Sequence, residues 1–495
     1  MREMPRTIPR LVWLALPLAY LLYFYRLDGV GLVGPDEPRY AAVAHEMALS
    51  GDSVTPRLWG QPWFEKPPLL YWMTATGFRL GLGPENAPRL PVALVAVAFL
   101  AFYAWMLARE FGARAAGIAT LILGTCFGWV GFSQIGVPDL LLTATFSGGM
   151  LLSLPWIAKR DTRPLPAVSA LFGLAVLAKG LVPLVLALPL ASRGRIRDLL
   201  RLPVLAVFLV VALPWYLLCY LRNGGEFLNV FFWQHHVARF VSGGLMHVQS
   251  VWFYLPIFAA GLLPWTPLAV LLVRRGVWKD SRRVFLLLWV LWGLLFFSIS
   301  ANKLPGYILP LFPGAAALLA LRIEEAADSR PWLAACAALL VALPLAAQVL
   351  PSAVADGLLH AARPHFEWTW VLPIAIAAAV WLLGDRRFAA TAMIAVCATA
   401  GVVYLKIVTV PDLDRLASAR SLWRRVEARA DHTCVDNIQR NWRYGLNYYS
   451  VTPLPDCSAA PKPLEIRQSA NEPPQLVSAS SSRYRHPELG LPRNR

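Results

Sequence analysis

Charge is scarce in this chain of 495 residues. Asp, Glu, Lys and Arg make up 15% of it, against about 25% in a soluble domain. A water-facing surface of ordinary charge density is thereby excluded. Metal-type cysteine pairing is also lacking. The six Cys contain no CxxC spacing, which argues against a cysteine metal site. Cys126, Cys219, Cys336 and Cys397 stand in apolar runs and read as packing residues. No Walker loop, dinucleotide fingerprint or internal repeat is visible. Acidic residues number 29 against 46 basic, a net charge of +17. That excess does not imply nucleic acid, because most of the Lys and Arg fall in short loops and no basic aromatic surface lies outside the apolar runs.

What is present is apolar. Hydrophobic residues reach 57%, with 20 Trp, in runs long enough to span a bilayer, which takes about 20 residues per helix. The chain reads as an all-α polytopic membrane protein. Arg2, Arg6 and Arg10 precede an apolar run from Leu11 to Tyr25 that lacks a small-residue cleavage site. It reads as a retained first helix with a cytoplasmic N-terminus. Further spans are expected at 88–108, 115–135, 139–157, 165–178, 180–192, 202–221, 251–273, 284–300, 306–321, 332–350, 369–384 and 388–405, about 13 in all. Basic residues cluster in alternate loops, for example Lys159, Arg160 and Arg163, or Arg193, Arg195, Arg197 and Arg201. That alternation puts the C-terminus outside. Residues 1–407 form the expected transmembrane catalytic domain. Residues 408–457 are expected as a small extracytoplasmic unit, and 458–495, rich in Ser, Pro and Arg, as a disordered tail. An oxidising location permits a Cys434–Cys457 disulfide.

One stretch breaks the apolar pattern. The first outer loop (27–87) holds Asp36, Glu37, Arg39, His45, Glu46, Asp52, Arg57, Glu65 and Lys66. A charge beside a bilayer is costly unless solvated, paired or bound to a ligand. Pro38–Leu49 and Lys66–Leu80 have the aromatic, amphipathic spacing of interfacial helices. Asp36 can cap the first of them or act as a base toward an attacking hydroxyl. Glu65 can hold a divalent ion together with a His, and Lys66 can meet a phosphate. His247 stands at the re-entry into the membrane on the same face. Asp139, in GVPDLLL, is either a helix cap or a second functional acid. Lys179, Lys303 in the ANKLPGY turn, Tyr307 and Arg57 are expected on that face too. Cations there suit a phosphate-bearing ligand, or snorkel to lipid head groups.

Together, DEPRY, GDSVTPRLWG, FEKPPLLYW, the VPD turn and KLPGYILP resemble the GT-C glycosyltransferases that use polyprenyl-phosphate sugars, above all the lipid A aminoarabinose transferases. Protein O-mannosyltransferases are more distant. The resemblance covers about residues 10–405. It implies a fold with 13 transmembrane helices, interfacial helices in the first loop and a small soluble α/β C-terminal region. It implies Asp36 and Asp139 as the essential acids, and Lys66, Lys303, Tyr307, Arg39, Arg57 and Lys179 around the lipid phosphate. It implies Glu65 and His247 as ligands of a divalent metal, zinc in that branch, with magnesium or manganese as alternatives. The expected activity is inverting transfer of a sugar from undecaprenyl phosphate to lipid A, another envelope glycan or a protein, on the periplasmic face of the bacterial inner membrane, by a monomer. A polyprenyl-lipid transporter is the rival class, but its charges belong near the midplane, whereas here they crowd one edge. A non-catalytic scaffold leaves the first-loop charges unexplained.

Overall fold

In the computed structural model the described residues are 15–193, 196–238, 249–273, 280–357, 360–469 and 472–479. The apolar runs are helical, as they must be where no water can satisfy the backbone. Seven helices are long and apolar enough to cross a membrane, or eight if the bent pair Val251–Gly261 and Thr266–Leu272 is one span. Five shorter apolar helices are Ala15–Phe24, Ala113–Thr125, Leu165–Lys179, Val182–Ala191 and Trp368–Leu382. Each expected span falls on one of these elements. The chain is a multi-pass membrane protein, and the expected count of about 13 crossings includes the short helices that length alone does not qualify.

The first loop is built on two helices and a hairpin. Helix α1 (Asp36–Ser50) starts with Asp36 and Glu37 in its first turn, where carboxylates suit the positive helix end. It stops at Gly51, whose φ of 74° is a left-handed cap and whose N–H donates to the Met47 carbonyl at 3.2 Å. Strands β1 (Arg57–Leu58) and β2 (Gln61–Pro62) pair antiparallel. Trp59 and Gly60 join them at φ 54° and 80°, the signs of a type I′ turn. Helix α2 (Leu69–Arg79) follows Pro67 and Pro68 and packs on α1. Long helix α3 (Asn86–Phe111) follows directly.

Helix α4 (Pro138–Leu152) and helix α5 (Leu165–Lys179) pack closely. Small residues allow the approach: a Cβ on Gly149 would meet Phe172 at 3.2 Å. Their ends bring Asp139, in the first turn of α4, to Lys179, the last residue of α5. Fully buried aromatics, among them Trp129, Trp156, Trp265, Trp289 and Tyr103, fill the bundle.

Helix α6 (Arg387–Ala417) runs ten residues past the domain boundary expected at 407. The C-terminal unit then consists of α7 (Arg420–Val426), β3 (Thr433–Val435), α8 (Arg440–Tyr449), β4 (Leu464–Arg467) and β5 (Gln475–Ser478). The sheet order is β3-β4-β5, with β3 and β4 parallel and β5 antiparallel. Its core is Leu422, Val426, Val435, Trp442, Leu446 and Ile466. Order therefore extends beyond 457. The Ser- and Pro-rich composition hid two short strands, LEIR and QLVS, which pair with each other and join the sheet through LEIR on β3. Cys434 and Cys457 form a disulfide. Residues 480–495 of the expected tail lie outside the described residues.

Candidate active site

The two adjacent carboxylates at the head of α1 have different fates. The Glu37 side chain is 2% exposed and that of Asp36 45%. Glu37 receives Arg89 Nε at 2.7 Å and Nη2 at 2.8 Å, the Val33 amide at 2.9 Å and the Gly136 amide at 2.8 Å. Arg89 also donates to the carbonyls of Leu27, Val30 and Gly31. This is a structural clamp joining the first loop, α3 and the turn before α4. Such a buried pair holds because nearly every polar atom is satisfied. Arg89 escaped the sequence reading. Its one signal was a lone charge at the head of an apolar run, in NAPRLP.

Asp36 is the accessible member. Its Oδ1 accepts from Arg39 Nη2 at 2.7 Å, and the same nitrogen reaches Glu65 Oε2 at 2.9 Å. Lys66 Nζ stands 3.2 Å from Glu65 Oε1. Burial works against the charge on Arg39, but Glu65, Tyr40 and Asp36 outweigh it and raise the guanidinium pKa above its ordinary value. Burial pushes the phenols of Tyr40 and Tyr71 well up, and Glu65 adds to this in both. These phenols stay protonated.

Asp36 opens onto a cavity lined by Gly34, Pro35, Glu37, Tyr40, Lys66, Phe132, Asp139, Lys179, Gly306 and Tyr307 among others. On its far wall Lys179 Nζ sits 2.5 Å from Asp139 Oδ1 and 4.6 Å from the centre of the Tyr307 ring. Gly306 makes room for this pair: a Cβ there would lie 2.7 Å from Asp139 Oδ1 and 2.7 Å from Phe132. Five of the expected residues thus line one space, Asp36, Lys66, Asp139, Lys179 and Tyr307, and Arg39 reaches it through Asp36. Glu65 stands behind Arg39.

Other expected residues are placed differently. Lys303 is buried, and its ammonium donates to the carbonyls of Ser300 at 2.5 Å and Gln249 at 3.0 Å, so it does not line the cavity. Arg57 sits in the hairpin, with its guanidinium 3.4 Å from the Gly60 carbonyl. His247 lies outside the described residues. Among the described residues no group of three or more His, Cys, Asp and Glu could hold a metal ion. Of the expected metal pair only Glu65 is described, and there it meets Arg39 at 2.9 Å and Lys66 at 3.2 Å; no chemical step is routed through a metal.

Helices entering a cavity at one edge, with the first loop folded over it, describe a known architecture. ArnT from Cupriavidus metallidurans, solved bound to undecaprenyl phosphate, superposes with a TM-score of 0.73 at 27% identity, over 94% of this chain and 87% of that one. The chain has the GT-C fold. An Archaeoglobus fulgidus oligosaccharyltransferase shares the GT-C architecture alone, at 13% identity and a TM-score of 0.53, over 92% of this chain and 65% of that one. Residues 65–218 match the family model described as dolichyl-phosphate-mannose-protein mannosyltransferase. The undecaprenyl phosphate-α-4-amino-4-deoxy-L-arabinose arabinosyl transferase of Pseudomonas aeruginosa strain UCBPP-PA14 is 36% identical over 320 residues, 61% of this chain. The matched part spans 57% of that relative's length. The resemblance to the aminoarabinose branch of GT-C proteins thus extends from the motifs to the fold.

Proposed function

We propose that this protein is an inverting glycosyltransferase that takes a sugar from undecaprenyl phosphate and delivers it to an acceptor in the cell envelope, with lipid A favoured. The observation that carries this reading is the accessible Asp36 carboxylate opening on the same cavity as the Lys66 cation. The relatives named for aminoarabinose transfer, and the ArnT structure bound to undecaprenyl phosphate, support it.

The acceptor oxygen attacks the anomeric carbon. The bond from that carbon to the phosphate oxygen breaks, and its electron pair leaves with undecaprenyl phosphate. Lys66, with Lys179 across the cavity, offsets charge on the departing phosphate, an electrostatic role of the kind that dominates many enzymes. Asp36 accepts the proton of a hydroxyl acceptor. A phosphate acceptor arrives ionised, and Asp36 then positions it. Asp139 holds Lys179 in place. The first-loop charges face the periplasm of the inner membrane and the N-terminus faces the cytoplasm, by the basic-loop alternation. The protein acts as a monomer. A protein hydroxyl is the second acceptor reading, favoured by the family model matched at residues 65–218.

Asp36→Asn, in membranes supplied with undecaprenyl-phosphate-linked aminoarabinose and lipid A, is expected to lose about 10²–10⁴-fold in transfer. Undiminished transfer removes the role of Asp36. Metal dependence, as expected for Glu65 and His247, is tested by transfer in chelator-stripped membranes with and without added zinc.

A further inference from the structure

The C-terminal unit is not merely appended to the membrane bundle. Its helix α8 lies against α1. Tyr448 donates to the Pro84 carbonyl at 2.6 Å and Tyr449 to Glu85 Oε1 at 3.0 Å. The Leu32 amide donates to the Tyr449 hydroxyl at 3.0 Å. Arg420 donates to the carbonyls of Asp28 and Gly29 at 2.8 and 2.7 Å. The segment leading into Asp36 is thus held from outside.

The contact reaches Arg39. The guanidinium of Arg39 is covered by three rings: Tyr40 at 5.2 Å, Trp63 at 5.5 Å and Tyr444 at 5.5 Å. Two belong to the first loop. Tyr444 comes from α8, some four hundred residues along the chain. Its ring also stacks on Trp59, with centroids 5.5 Å apart and planes at 24°. Trp59 occupies a left-handed backbone conformation, φ 54°, that a bulky L-residue adopts at a cost. The hairpin accepts that strain in the same conformation that lays the indole on Tyr444. A cation enclosed by aromatic faces loses orientational freedom and gains attraction from the rings. This cation is the partner of Asp36.

We propose that Tyr444 is a positioning residue: through Arg39 it holds the Asp36 carboxylate at the cavity mouth, so the C-terminal unit completes the site. The proposal rests on the transferase reading above. Its ring, rather than its hydroxyl, carries the effect, since among the described residues the hydroxyl meets only a weak 3.5 Å contact from Arg440 Nη2.

The test uses the full-length protein in lipid nanodiscs, with undecaprenyl-phosphate-linked aminoarabinose and lipid A. Tyr444→Leu is expected to lower kcat roughly 10- to 100-fold, the scale of a misplaced catalytic group, with KM for the donor lipid within about twofold. Tyr444→Phe should retain kcat within about twofold. In an Arg39→Lys background, Tyr444→Leu should add little further loss, the non-additivity of residues acting through one contact. Hydrogen exchange of the amides of residues 36–45 should quicken in Tyr444→Leu and not in Tyr444→Phe. Multiplicative losses in the double variant, a Phe variant as impaired as the Leu variant, or unchanged exchange in Tyr444→Leu would each overturn the proposal. If the unaltered protein transfers no sugar, the transferase reading falls, while the exchange comparison still decides whether Tyr444 orders the start of α1.

Discussion

At the residue scale, neighbours in one helical turn divide between holding the fold and opening on the cavity. Glu37 is enclosed by Arg89 and two backbone amides, and Asp36 is open to the cavity. Glu37→Ala leaves Arg89 as a buried charge without its counter-ion, and a loss of about 3–5 kcal/mol in stability is expected. Asp36→Ala removes a partly exposed pair and should cost less than about 1 kcal/mol. Thermal unfolding of the two variants in detergent checks the contrast, and equal losses would contradict it. Gly306 is a residue of the opposite kind, present for what it omits. In Gly306→Ala the added methyl displaces either Phe132 or the Asp139–Lys179 pair. Transfer should fall roughly tenfold or more, with the helical circular dichroism unchanged.

At the element scale, the hairpin and α8 both pack on α1, and the segment 28–35 is the strap between α8 and the bundle. Gly31 lies where a Cβ would be 2.1 Å from Ser418 Oγ and 2.6 Å from the Tyr449 hydroxyl. Gly31→Ala is therefore expected to loosen the C-terminal unit from the bundle by about 1–3 kcal/mol, the usual range for overpacking. Limited proteolysis around residues 417–420 should become faster. Cleavage no faster than in the unaltered protein would mean that the strap tolerates the shift. The disulfide Cys434–Cys457 closes a 23-residue separation within that unit, and α8 lies inside the loop it closes.

At the scale of the whole molecule, the placement of charge favours the proposed transferase over a transporter. Those that line the cavity stand at helix ends and in the first loop: Asp36 heads α1, Asp139 heads α4 and Lys179 closes α5. The buried Lys406 of α6 donates to the carbonyls of Leu22 and Tyr25 and so caps a helix end. A transporter driven by ions needs ionisable groups along a path through the midplane. Sugar transfer in detergent micelles, where no gradient exists, should therefore proceed at a rate comparable to that in sealed vesicles. Transfer that stops when the gradient is collapsed would point to the rival class.

Bilayer physics made much of this legible without coordinates. An apolar run of sufficient length must be a helix, because its backbone can be satisfied in no other way, and each expected span coincides with an observed helix or bent pair. Charges crowded into one loop marked the site, because a charge beside lipid is costly without a purpose. The division of labour within the site was not legible. Asp36 and Glu37 are chemically alike and adjacent, and only the arrival of Arg89 from α3 makes one structural and leaves the other accessible. Lys303 carries the same charge as Lys66, yet two carbonyls of its own surroundings claim it. Tyr444 gave no signal, because its partners Trp59 and Arg39 lie at the other end of the chain. Local composition determines what can form within one segment, whereas the pairing of distant side chains depends on how the segments close on one another, and that was decided by tertiary packing alone.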